Sequence, residues 1–235
     1  MAKGLRANLR SVRERIDAAA KRAGRRPDSI KLVAVSKTHP ASAIRQAIKE
    51  GLAVFGENKV QEAESKIPEV GRTSAEWHLI GSLQKNKARK AIQLFDLIHS
   101  VDSVELASRL ERICDEESRA VLPILVQVDI AGESTKSGIA ERDLPVLFEF
   151  LKRCKYLRFD GLMVLPPYFD NAEDTRPFFR RLADIGRRLA DEGAFRGGAG
   201  ELSMGMSHDL EVAVEEGATL IRIGTAIFGE REKKR

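Results

Sequence analysis

Lys37 closes the run KLVAVSK, where an apolar strand gives way to the loop THP. A lysine amine attacks a carbonyl only when burial or cationic neighbours lower its pKa enough to leave free base. Far along the chain, LSMGMSHDLE sets Ser203 and Ser207 on either side of Gly205, and IRIGTAIFGE puts Gly224 and Thr225 directly after another apolar run. Backbone N–H groups at a glycine-bearing turn that opens a helix attract anions. Taken singly, Lys37 is an exposed lysine at a strand end, Ser207 a helix cap and Gly224 a tight turn. Two such loops on consecutive strands favour a phosphate. A lysine amine beside a phosphate cradle suits an aldehyde-bearing phosphate ester, of which pyridoxal 5′-phosphate (PLP) is one and a class I aldolase substrate another. Arg222 interrupts the apolar run LIRIG and needs an acceptor, because an unpaired buried charge is costly. It either makes a structural salt bridge or faces the pyridine nitrogen of PLP and keeps that nitrogen unprotonated.

The elements that position these residues alternate. Leu5, Leu9, Val12, Ile16 and Ala19 lie on one stripe of an opening helix, within residues 1–26, that Gly24 and Pro27 end. Eight short apolar strands follow: 31–36, 53–55, 77–80, 97–100, 124–130, 159–165, 201–204 and 220–223. Each but the last is followed by a helical pattern. Pro68 is expected to stop the second of these helices. Asp102 and Glu105 form a capping box for the fourth, Phe178 lies on the apolar face of the sixth, and Ser207 opens the seventh. Strands apolar on both faces belong to parallel sheets. The expected fold is therefore α/β: a single (β/α)8 TIM barrel with an extra N-terminal helix, one domain over residues 1–235. A doubly wound open sheet is the competitor, but no GxGxxG or Walker motif supports it. Barrel closure sets the eighth strand beside the first, which brings Lys37 to the phosphate loops.

A hydrophobic fraction of 43% in 235 residues is enough for one large core. No apolar run nears the roughly 18 residues of a membrane span, and charges interrupt the first twenty residues, so neither a membrane anchor nor a secretory leader is expected. Cys114 and Cys154 read as reduced structural thiols, in keeping with a cytoplasmic protein. The net charge of +5 invites a nucleic-acid reading, but acidic and basic residues interleave along the helices and aromatics are sparse. Only residues 230–235 form a dense basic tail. No metal-ligand spacing is present.

Seven segments together resemble the pyridoxal phosphate homeostasis proteins, the YggS/PROSC-like family, whose fold is the barrel domain of alanine racemase. They are LVAVSKTHPASAI, FGENKVQEAESKI, EWHLIGSLQKNK, VDIAGESTKSGI, GLMVLPP, LSMGMSHDLEVAVEEGATLIRIGTAIFG and the opening helix. The resemblance implies PLP held as a Schiff base on Lys37. It sets Ser203, Ser207, Gly224 and Thr225 at the phosphate and Arg222 at the pyridine nitrogen, with Asn58, His78 and Met163 lining the pocket. Asn58 as a helix cap, His78 as a core histidine and Met163 as packing remain the alternatives. His39 stands where many members carry lysine. The family is associated with holding and balancing PLP without an established catalytic activity, which implies a carrier with apo PLP enzymes as partners. The other reading is a PLP-dependent amino-acid racemase. Racemase relatives add a C-terminal β-domain with a tyrosine acid/base and a dimer interface, whereas eleven residues follow Gly224 here. A monomeric carrier is expected.

Overall fold

The computed structural model describes residues 2–132, 137–195 and 198–229. The basic tail 230–235 and part of the VDIAGESTKSGI segment lie outside the described residues.

The chain opens with helix α1 (Ala2–Arg22). Strand–helix units follow: β1 (Lys31–Val35) and α2 (Ala41–Lys49), β2 (Val54–Glu57) and α3 (Val60–Val70), β3 (Glu76–Leu79) and α4 (Ala88–Leu94), then β4 (Leu97–Val101) and α5 (Val104–Glu116). Next come β5 (Leu122–Asp129), a two-residue strand β6 (Ile139–Ala140) and α6 (Leu144–Leu151), then β7 (Leu157–Met163) and α7 (Arg176–Asp191). The last units are β8 (Glu201–Ser203) with α8 (Leu210–Glu215) and β9 (Leu220–Ile223) with α9 (Thr225–Phe228). All strand pairs are parallel, in the order β4-β3-β2-β1-β9-β8-β7-β5, and β4 also pairs with β5. That last pairing closes an eight-stranded barrel. β6 pairs only with β5, outside the eight staves, and was not anticipated.

Alternation along each strand gives the barrel two apolar layers. Val33, Val35, Val54, Leu125, Met163 and Leu220 pack inside it. Ala34, Phe55, Trp77, Ile98 and Leu162 point outward into the shell of helices. Helix α1 adds Leu5, Leu9, Val12 and Ile16 to that outer shell, all buried. Among the described residues no helix is long and apolar enough to cross a membrane.

Four local expectations are corrected. Pro68 does not stop α3, which continues to Val70 before Gly71 at φ 107°. A proline this late in a helix removes one backbone bond and leaves the earlier turns intact. Ser103, not Asp102, caps α5, its hydroxyl accepting from Leu106 N at 3.2 Å. The buried phenylalanine of α7 is Phe179; Phe178 is half-buried against Phe169. Helix α8 starts at Leu210 with Asp209 at its N-cap, so Ser207 lies in the preceding turn.

Candidate functional site

Lys37 follows Val33 and Val35 at inward parity, two residues beyond the end of β1. Its turn is braced from behind by a buried ionic cluster. Ser36 Oγ donates to Glu57 Oε1 at 2.7 Å, and Lys66 Nζ donates to Ser36 O at 2.9 Å, to both Glu57 oxygens, and to Glu62 Oε2 at 3.3 Å. Glu62 in turn accepts from Thr38 N at 2.9 Å. Thr38 sits at φ 67°, a conformation that costs a β-branched residue, so the turn is held rather than relaxed. Burial pushes the Glu57 carboxyl up, against the charge of Lys66.

β9 lies against β1, with Ala34 opposite Ile223. A Cβ on Gly224 would stand in ordinary contact with Val35 at 3.4 Å, so the start of α9 lies against the strand that leads to Lys37. The ring of His39 stacks on Phe228 of α9, centroids 4.8 Å apart. The Lys37 turn and the α9 turn are therefore in direct contact. Ser207 Oγ accepts from Ala226 N at 3.3 Å, joining the loop after β8 to that after β9. Helix α1 supports both loops from outside: Arg15 Nη2 donates to Ser207 O at 3.1 Å, its guanidinium also grips Glu211, and Asn8 Nδ2 donates to Ile227 O at 3.1 Å.

Inside the barrel a file of polar side chains stands where the other staves carry valine and leucine. Arg222 Nη1 donates to Ser203 Oγ at 2.6 Å and Nη2 to Val164 O at 3.0 Å. Ser203 Oγ also meets His99 Nδ1 at 2.8 Å, His99 Nε2 meets His78 Nδ1 at 3.0 Å, and His78 Nε2 meets Glu76 Oε1 at 2.8 Å. His78, His99 and Ser203 are fully buried and Arg222 is 3% exposed, so each needs these partners. Burial lowers the Arg222 guanidinium to about 10 and holds His99 well below the usual histidine range. Among the described residues no carboxylate hydrogen-bonds Arg222 directly; its counter-charge is the buried Asp209, whose attraction opposes the effect of burial.

The structure brings Lys37, Ser207, Gly224 and Thr225 to one mouth of the barrel, with Arg222 inside the wall beneath. It does not put Ser203 with them. That hydroxyl is buried against Arg222 and His99, while Ser207 is the serine at the α9 turn. Asn58 follows β2 at inward parity and does not cap α3, whose N-cap is Lys59. Met163 is fully buried in the inner layer, and His78 belongs to the polar file, a satisfied core histidine. Sequence reasoning missed His99, Arg15 and the Glu57–Lys66 pair. A histidine at inward parity in the core strand LIHSV was the one available signal for His99; nothing local marked the others.

The family model described as alanine racemase, N-terminal domain, matches residues 7–232. The pyridoxal phosphate homeostasis protein of Aquifex aeolicus is 43% identical over 224 residues, 95% of this chain and 97% of that one. The chain belongs to the pyridoxal phosphate homeostasis protein family. PipY of Synechococcus elongatus, a structure solved with PLP bound, superposes with a TM-score of 0.84 at 40% identity, covering 96% of this chain and 100% of that one. An alanine racemase from Bartonella henselae, at 15% identity and a TM-score of 0.67, shares the barrel and extends well beyond it, since this chain covers 59% of it. The family match therefore agrees with the closed barrel, and full-length coverage of the homeostasis relatives includes α1 as well as the staves.

Proposed function

We propose that this chain binds pyridoxal 5′-phosphate covalently through Lys37 and serves PLP homeostasis as a carrier. The observation that carries this reading is Arg222: a buried cation whose hydrogen-bond partners are a hydroxyl and a carbonyl, both neutral, in the barrel whose mouth holds Lys37 and the Ser207–Ala226 contact. A guanidinium so placed donates to an uncharged ring nitrogen without having to protonate it. When bound, the coenzyme supplies an aldehyde that a primary amine can take. The chain's residues do the rest. The ionic cluster behind Ser36 holds the Lys37 turn in one conformation. Ser207, Gly224 and Thr225 offer hydroxyl and backbone donors to a phosphate, and Asn58 lies at the same mouth with Met163 packed in the layer beneath.

The carrier reading is supported over a racemase by the tyrosines. Racemisation needs proton carriers on both faces of the substrate carbon. Tyr156 donates to Asp115 at 2.6 Å on α5, just before β7 begins and so at the opposite end of the barrel from Lys37. Tyr168 is 77% exposed beside His208. The relatives' name points the same way, to homeostasis rather than catalysis.

Borohydride reduction of the PLP-treated protein, followed by peptide mass mapping, tests the attachment: the label falls on Lys37 and is absent from Lys37→Ala. A label on another lysine, or none, overturns it. Mixing the loaded protein with an apo PLP enzyme tests transfer; activity no greater than with an equal amount of free PLP removes the apo-enzyme partner.

A further inference from the structure

The file Glu76–His78–His99–Ser203 ends on Arg222 and begins at the opposite end of the barrel, where Glu76 also meets Lys31 Nζ at 3.4 Å. It spans the core through two imidazoles with no space for an intervening group, since every link is 3.0 Å or shorter. The hydrogen-bond inventory of such a file allows few assignments. Glu76 is an acceptor, because the hydrogen bond from His78 holds its carboxyl down to about 2. His78 Nε2 must therefore donate. From the other end, Arg222 Nη1 can only donate to Ser203 Oγ, which leaves His99 Nδ1 as the acceptor for the buried serine proton; His99 then carries its own proton on Nε2 and donates it to His78 Nδ1. His99 is kept neutral by burial, so its Nδ1 accepts and the Ser203 hydroxyl donates to it. Ser203 Oγ then has its lone pairs turned towards Arg222 Nη1, whose N–H is always a donor.

We propose that these four residues form a one-directional hydrogen-bond relay through the barrel core, in which His99 is a positioning residue that holds the Ser203 lone pair, and with it the Arg222 guanidinium, fixed towards the bound ligand ring. Reverse the relay and Ser203 accepts from both sides, its proton left without a partner in the wall. Remove His99 and the serine hydroxyl can rotate its proton towards the arginine. Either change leaves a buried polar atom unsatisfied, which the fold does not tolerate cheaply, and loss of His99 also loosens the Ser203 anchor of Arg222. The part of this inference that concerns the ligand rests on the PLP reading above; the direction of the relay does not.

Two measurements test it. In the cofactor-free protein, nitrogen-15 NMR of the histidine rings should find both His99 and His78 as neutral tautomers protonated at Nε2 and bare at Nδ1. A proton on His99 Nδ1 overturns the direction. In the loaded protein, His99→Leu should release the coenzyme about tenfold faster, the order expected for loosening one charge-assisted hydrogen bond. It should also shift the visible absorption band while the borohydride label stays on Lys37. His99→Gln, whose carbonyl can accept from Ser203 and whose amide can donate to His78, should restore most of the wild-type rate and band. A folded His99→Leu with wild-type release and spectrum overturns the positioning role, and so does a Gln variant no better than Leu. If the Leu variant fails to fold, the Gln variant decides: wild-type release with His78 protonated at Nε2 and bare at Nδ1 supports the relay, and faster release or a proton on His78 Nδ1 sinks it. Failure of the wild-type protein to take up PLP would instead defeat the functional reading, with the tautomers still deciding the relay.

Discussion

Lys66 reaches across from α3 to grip both carboxylate oxygens of Glu57, at 3.0 and 3.1 Å, directly behind the turn that presents Lys37. Glu57 is fully buried and Lys66 nearly so, which makes each the other's condition for being there. Removing one member of such a pair strands a charge in the core. Lys66→Met should cost about 3–5 kcal/mol of folding stability, and Lys66→Met with Glu57→Leu should recover most of it. Urea denaturation of the three proteins checks both statements. Because Lys66 also holds Ser36 O and Glu62, the double variant should regain stability but form the Lys37 adduct more slowly.

Arg15 connects α1 to the Ser207 carbonyl and to Glu211. Arg15→Ala should weaken binding of PLP, and of inorganic phosphate as a competitor, by about three- to tenfold, corresponding to one or two partly exposed charge-assisted hydrogen bonds. Equilibrium dialysis reads the change. The borohydride label should remain on Lys37, since the Arg15 contacts run to Ser207 and Glu211.

Glu76 gives the protein an acid dependence with a definite sign. Its carboxyl is held from 4.5 down to about 2 in the fold, chiefly by the hydrogen bond with His78. A depressed carboxyl stabilises the fold fully above its unfolded pKa and loses that contribution as pH falls through the folded value. Wild-type Tm should therefore fall between pH 4.5 and about 2 more steeply than the Tm of Glu76→Gln. Parallel curves across that window would assign the acid sensitivity to other carboxylates.

Cys114 and Cys154 are both buried, and burial pushes their thiols up to about 11 and about 12. The thiolate is the reactive form, so neither should react with a thiol reagent in the native protein at neutral pH. Both should react after unfolding in guanidinium. Prompt labelling of the native protein would show that α5 or the end of α6 opens far more readily than its packing implies.

Much of the site was written locally. A lysine ending an apolar run is at the mouth of any barrel that run helps to build, and KLVAVSK could be read that way because strand alternation is a short-range property. Gly224 and Thr225 after LIRI, and the adjacency of the first and last staves, follow from eight repeats of one unit and from closure. Ser203 and Ser207 show where such reading stops. They are the same residue type four positions apart, yet one ends β8 inside the core and the other sits on the turn that meets α9. Register decided it, with Ser203 opposite Leu220 and the chain swinging outward at Gly205, φ 90°. His99 and Arg15 act through partners 21 to 196 residues away, and Lys66 through Glu57 nine residues back and Ser36 30 residues back, just past the end of β1. A sequence carries strand parity and turn chemistry residue by residue. Which buried donor meets which acceptor depends on how the staves stagger when the barrel closes, and that is set only when all eight pack at once.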